Sequence, residues 1–208
     1  MRLERALDFT RTFWSSDVSY QVLKRPITWE PQAFEAALSL LPRLHWEGQL
    51  QDLASLAAEL HQKIPSKNPD LKTWLQEDIL LLTELFLELL GGLQPRYRAC
   101  LTFEWIDHDA CRLFHTDYHF ARLITTYVGP GTEYLLPHQG DRTQLGKGSN
   151  AALLRDVEKV SQLGREEIMI LKGERMSHLG SKALIHRSPP IQKHPSGSQE
   201  RRLVLRVT

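Results

Sequence analysis

The chain has 208 residues, 41% of them apolar and 25% charged, which suits one soluble domain able to bury a sizeable core. Its formal net charge of +1 gives no overall field toward nucleic acid or anionic membrane, so neither is expected as a partner. The two cysteines, Cys100 and Cys111, build no disulfide framework, and the absence of a Cys-x-x-Cys pair removes the usual thiolate zinc site.

The N-terminal segment MRLERALDFTRTFW lacks the apolar run and small-residue cleavage site of a signal peptide. A cytoplasmic location is therefore expected. Residues 30–91 read as helical. Pro31 suits a first helical turn, and Phe34, Leu38 and Leu41 follow at helical spacing up to Pro42. Leu50, Leu53, Ala57, Leu60 and Ile64 form a second stripe that ends at Pro65. A third helix is expected from near Asp70 to Gly91-Gly92. Only Glu77, Glu84 and Glu88 give that helix a wet strip, so it packs on something large or forms a homodimer interface. Its apolar stretch, Ile79 to Leu90, is interrupted by two of these glutamates and falls short of the roughly 20 residues that span a bilayer.

From Arg98 the period changes. Short segments at 99–107, 111–117, 122–128, 167–172, 183–187 and 202–207 read as strands, several of them rich in branched and aromatic residues. Gly129-Pro130-Gly131 marks a sharp turn. A long loop covers 137–150, a short amphipathic helix is expected near 153–160, and a polar tail loop covers 189–200. Strands behind a helical layer suggest a sandwich or barrel, with residues 1–97 supporting a core at 98–208.

The chemistry centres on His115-Thr116-Asp117 and the distant His186. On a strand, side chains two apart share a face, so His115 and Asp117 converge on one point. Two imidazoles and one carboxylate form the facial set that suits iron, manganese or zinc and leaves metal positions open. The His-x-Asp pair taken alone also fits a surface histidine beside a solvated aspartate. Arg202, Val204 and Arg206 alternate on the last strand, where one guanidinium can grip the carboxylate of a small acid. His119 is a spare ligand or a simple surface histidine. Gly146-Lys147-Gly148-Ser149 lacks the spacing of a phosphate loop and reads as a surface loop or lid. Glu104, Trp105 and Trp74 read as core or interface residues.

The ordered series of His-x-Asp, strand, glycine turn, strand, His and Arg-bearing strand resembles the iron(II)/2-oxoglutarate dioxygenase superfamily, nearest to its prolyl-hydroxylase-like branch. The blocks FHTDYHFARLITTYVGPGTEYL and LIHRSPP…RRLVLRV resemble more closely a bacterial family, domain of unknown function 1826. The likeness covers roughly residues 98–208. It implies an α+β fold, a double-stranded β-helix (jelly-roll or cupin-like barrel) with the N-terminal helices packed on it. It also implies Fe(II) held by His115, Asp117 and His186, with 2-oxoglutarate anchored by Arg202 and helped by Tyr127. The activity implied is hydroxylation of an unknown small-molecule or protein substrate. The sequence departs from the superfamily in the long gap between His186 and Arg202, which leaves Arg201 as the alternative anchor, and in the block His186-Arg187-Ser188-Pro189. A non-catalytic cupin-like barrel binding zinc or another ligand is the alternative reading.

Overall fold

Helices cover one face of a six-stranded antiparallel sheet, and a smaller three-stranded sheet lies against the other face. The computed structural model describes residues 13–14, 17–65, 67–92, 94, 96–108, 111–155, 160–179, 182–191 and 200–208. Among these, the helices are α1 (Pro31–Leu38), α2 (Leu53–Lys63), α3 (Pro69–Gly91) and the single turn α4 (Asn150–Leu153). The strands are β1 (Tyr20–Lys24), β2 (Leu44–Gly48), β3 (Ala99–Ile106), β4 (Ala121–Val128), β5 (Glu133–Tyr134), β6 (Ser161–Gln162), β7 (Glu167–Lys172), β8 (His186–Arg187) and β9 (Arg202–Val207). No helix among the described residues is long and apolar enough to cross a membrane.

The helix signals were local and strong. Pro31 opens α1, while Asn68 caps α3 by accepting a hydrogen bond from the Leu71 N–H at 3.1 Å, with Pro69 in its first turn. On α3, Glu77, Glu84 and Glu88 lie outside the buried face, and Leu81 is exposed as well. The buried face of α2 runs through Leu56, Leu60 and the adjoining Ile64, whereas Leu50 stays exposed in a 3₁₀ turn (Leu50–Asp52).

Two strands correct the expectation that residues 30–91 are helical and that the strands begin at 98. β1 and β2 come from the N-terminal half and form the two edges of the large sheet, whose order is β1-β7-β4-β9-β3-β2. In β2 the segment LHWEG alternates buried and exposed residues, a period-two signal too short to stand out beside three helices. Conversely, residues 111–117 form no regular strand. Only His115 pairs, in an isolated bridge to His186, and of 183–187 only His186–Arg187 is a strand.

Each central strand of the large sheet divides its residues between two cores. Leu123 and Tyr127 of β4, Leu203, Leu205 and Val207 of β9, and Leu101 and Phe103 of β3 pack under the helices. Ile124, Val204, Ile106, Met169 and Leu171 point the other way, against Leu163 and Leu184 from the small-sheet side. The small sheet has the order β6-β5-β8, and the His115–His186 bridge adds one more pairing at its β8 side. A third cluster, Phe114, Leu135, Leu153 and Ile185, packs beside it. The helix expected near 153–160 is instead the turn α4; residues 156–159 and 192–199 of the two predicted segments lie outside the described residues.

A candidate metal centre between the two sheets

His115, Asp117 and His186 come together at the end of the small sheet, their ligand atoms all within 4.8 Å of one another. The backbones of His115 and His186 exchange two N–H to carbonyl hydrogen bonds at 3.0 Å each. Their ring centroids stand 4.6 Å apart. Asp117 follows in a turn held by the start of β4 and the end of β7, where Gly173 N–H donates to Phe120 O and Glu174 N–H donates to Asp117 O, both at 2.8 Å. A Cβ at Gly173 would lie 2.0 Å from His119 O and 2.8 Å from Asp117 O, so this turn seats only against a glycine.

The imidazoles are oriented by main chain. His115 Nδ1 is 2.9 Å from Leu113 O and His186 Nδ1 is 3.1 Å from Leu184 O. A carbonyl only accepts, so each Nδ1 carries the proton and each Nε2 of the neutral ring presents a lone pair. Those Nε2 atoms face the Asp117 carboxylate, at 3.8 Å from His115 and 3.5 Å from His186. Lone pairs facing a carboxylate form no hydrogen bond. His186 Nε2 and Asp117 Oδ2 are accordingly buried without a hydrogen-bond partner. Three acceptors converging in a buried site, two of them orphaned, are what a divalent cation satisfies. Burial, opposed in part by Asp117, pushes the His186 pKa down to about 4, so the ring is neutral and ready to ligate near neutral pH.

Arg122 lies behind the carboxylate, its Nε 3.1 Å from Asp117 Oδ2 but without hydrogen-bond geometry, so we read it as a charge contact. Asn150 pins the ligand-bearing segment. Its Oδ1 accepts from Phe114 N–H at 2.9 Å and its Nδ2 donates to Arg112 O at 3.0 Å. Sequence reasoning missed Asn150 because its partners are backbone atoms of a distant loop. The groups that orient the two imidazoles are therefore main-chain carbonyls.

Arg202 shares a narrow cleft of about 30 Å³ with His115, His186, Arg122 and Arg206. Its Nε donates to Pro130 O at 2.6 Å and its terminal nitrogen reaches the hydroxyls of Thr126 and Thr132 at 3.3 and 3.4 Å. Burial, reinforced by Arg206, lowers its pKa to about 10, which leaves it charged at neutral pH. The turn that supplies Pro130 depends on Gly129, whose φ of +81° favours glycine and whose added Cβ would stand 2.6 Å from Arg201 O. Arg201 points elsewhere, its guanidinium 4.1 Å from the Trp105 ring centroid, so of the two arginines it is Arg202 that enters the cleft.

The structure does not bring Tyr127 to this cleft. Tyr127 lies on the helix-facing side of β4, fully buried, and donates its hydroxyl proton to Asp78 Oδ2 at 2.6 Å. Asp78 in turn accepts from Arg25 Nε at 2.8 Å. His119 is exposed and stands outside the three-ligand cluster. Glu104 binds Arg206 and lies 3.3 Å from Arg43, while Trp105 donates to Leu38 O and Trp74 packs edge-on against Phe34 and Tyr127. Gly146 and Gly148 take positive φ in an exposed loop beside His115, and Ser149 caps α4. Among the described residues one other three-ligand group occurs, His45, Glu47 and Cys100, with both side chains of β2 exposed.

A family model described as "Protein of unknown function (DUF1826)" matches residues 10–207. No curated protein matches. Among solved structures, the Fe(II)/α-ketoglutarate-dependent dioxygenase TqaL aligns with a TM-score of 0.53 at 9% identity, over 98% of this chain and 86% of that one. JOX2 in complex with 2OG, Fe and JA aligns with a TM-score of 0.47 at 11% identity, over 98% of this chain and 70% of that one. A full-length Neurospora crassa protein in complex with alpha-KG and 5-formyluracil aligns with a TM-score of 0.42 at 14% identity, over 99% of this chain and 77% of that one. The TqaL alignment shows an oxygenase-like fold and, at that identity, the fold alone.

Proposed function

The chain belongs to the DUF1826 family, whose description assigns no chemistry, and we propose from the site itself that it is an iron(II)/2-oxoglutarate-dependent oxygenase. The observation that carries the reading is the pair of orphaned acceptors, His186 Nε2 and Asp117 Oδ2, facing each other beside His115 Nε2. Two facing antiparallel sheets, with the ligands where the small one ends, support a double-stranded β-helix. The fold likeness to TqaL points the same way.

His115, Asp117 and His186 would hold Fe(II) on one face, and Arg202, with the hydroxyls of Thr126 and Thr132, would hold the far carboxylate of 2-oxoglutarate. Iron, 2-oxoglutarate and dioxygen together supply an oxidant able to hydroxylate a C–H bond, with release of succinate and carbon dioxide. The protein contributes position and polarity. The Leu113 and Leu184 carbonyls aim the imidazoles. Ile106, Ile124 and Val204 keep the cleft wall apolar. His115, the most exposed ligand, marks the side open to solvent and substrate.

One observation favours a second reading, a metal-binding barrel without oxygenase activity. The cleft of about 30 Å³ is far below the ~300 Å³ at which small-molecule sites begin, so a diacid enters only if its walls move apart. Anaerobic addition of Fe(II) and then 2-oxoglutarate separates the two. The oxygenase reading expects a weak visible charge-transfer band that Arg202→Gln shifts to higher 2-oxoglutarate concentration. Tightly held metal without that band supports the second reading.

A further inference from the structure

We propose that the substrate of this site carries an anionic oxygen group, a carboxylate or phosphate, held by Arg206 and Arg43 in a second cavity beside the metal ligands. The identification as substrate rests on the oxygenase reading above; the anion site itself does not. The cavity, of about 160 Å³, is lined by Arg43, Cys100, Thr102, Arg122, Arg206 and Thr208. It adjoins the cleft at the metal-site residues and shares Arg122 and Arg206 with it, whereas Arg202 lines the narrow cleft and not this cavity. Arg202 and Arg206 stand on the same face of β9, roughly 13 Å apart at the rise of a strand. The narrow cleft thus holds Arg202, and the adjoining cavity holds a cluster of three guanidinium groups.

The cluster has more positive charge and more donors than the protein satisfies. Glu104 serves both Arg206 and Arg43, and Asp117 is the charge contact of Arg122. Three cations thus face two carboxylates, one of which is a metal ligand in the proposed function. The Nε atoms of Arg122 and Arg206 are buried without a hydrogen-bond partner. Thr102 and Thr208 line the cavity beside them, the Thr208 hydroxyl donating to Cys100 O at 3.4 Å. Planar guanidinium donors beside hydroxyls match carboxylate and phosphate oxygens, and a cavity of this size admits the charged end of a small molecule or a side chain. Such a ligand, anchored at Arg206 and Arg43, would lay its uncharged portion toward the open side of the metal at His115.

The test titrates the full chain, metal-free, with inorganic phosphate and separately with acetate, following backbone amide shifts of residues 43, 102, 206 and 208. Saturable shifts at these residues are expected, and the tighter probe identifies the phosphate or carboxylate class. Arg206→Gln and Arg43→Gln should each weaken binding at least about tenfold, while Arg202→Gln leaves it unchanged. Arg43, with a side chain 61% exposed, provides a variant that does not threaten the fold. Shifts that fail to appear, or that neither Arg206→Gln nor Arg43→Gln alters, overturn the proposal. Mn(II) affinity measured on the same samples keeps the two readings apart. Phosphate binding without Mn(II) binding refutes the metal reading and leaves the anion site standing.

Discussion

His115 and His186 are joined through their backbones, each N–H donating to the other's carbonyl at 3.0 Å, while their rings meet through no hydrogen bond of their own. The main chain thus fixes the position of both imidazoles, and two carbonyls fix their rotation. His186 Nε2 is left buried without a hydrogen-bond partner. That separation between scaffold and ligand makes the site accessible to substitution.

His186→Ala should keep the bridge, since its hydrogen bonds are main-chain, and lose the metal. The variant should fold and show no metal-induced rise in melting temperature, where the parent protein gains stability by mass action. Asp117→Ala should behave differently. It strands the Arg122 guanidinium in a largely buried setting, at a cost of about 3 kcal/mol in the metal-free protein. Thermal melts with and without Mn(II) distinguish the two.

Asn150→Ala should lower metal affinity although Asn150 touches no metal. It removes the two hydrogen bonds that hold residues 112–114 immediately ahead of His115. A loss of about tenfold in Mn(II) affinity is expected, in the range seen when groups that orient ligands are removed. An isosteric Asn150→Asp variant keeps the acceptor for Phe114 N–H but sets a carboxylate oxygen against Arg112 O, so it should lower the affinity as well.

Tyr127→Phe should cost about 1–2 kcal/mol of stability by removing the hydrogen bond to buried Asp78, and should leave metal and 2-oxoglutarate binding unchanged. Asp78→Ala should cost more, about 3–5 kcal/mol, because it leaves the Arg25 charge buried without its carboxylate. Urea unfolding of both variants, with Fe(II) and 2-oxoglutarate titrations beside it, checks the assignment of this network to the fold.

The convergence of His115, Asp117 and His186, with Arg202 beside them, was legible because short spacing and chain order carry it. Tyr127 stands away from the cleft because a strand alternates faces: it shares the helix-facing side with Leu123, whereas Arg122, Ile124 and Thr126 face the cleft. Strand β2 was hidden by its length and by the helices around it. The network of Arg25, Asp78 and Tyr127 and the brace at Asn150 were beyond reach. Each joins positions distant in sequence through contacts that only the assembled sheet creates.

Stability of the metal-free protein should fall on mild acidification. The His186 pKa is depressed to about 4 by burial, against about 6.5 in an unfolded chain. The unfolded state therefore binds the proton first. Stability is lost as the pH drops through 6.5 and the loss levels off below about 4. Urea midpoints measured in the presence of chelator across this range should show the decline, and His186→Ala should reduce it.

The central claim is that His115, Asp117 and His186 form one metal centre. Anaerobic titration with Co(II), followed by visible absorption, tests it most directly. The account predicts one Co(II) per chain with the weak d–d bands of nitrogen and oxygen ligation, abolished in Asp117→Ala and intact in Cys100→Ser. An intense thiolate-to-cobalt band that disappears in Cys100→Ser and persists in Asp117→Ala would contradict it, and would place the metal at His45, Glu47 and Cys100 instead.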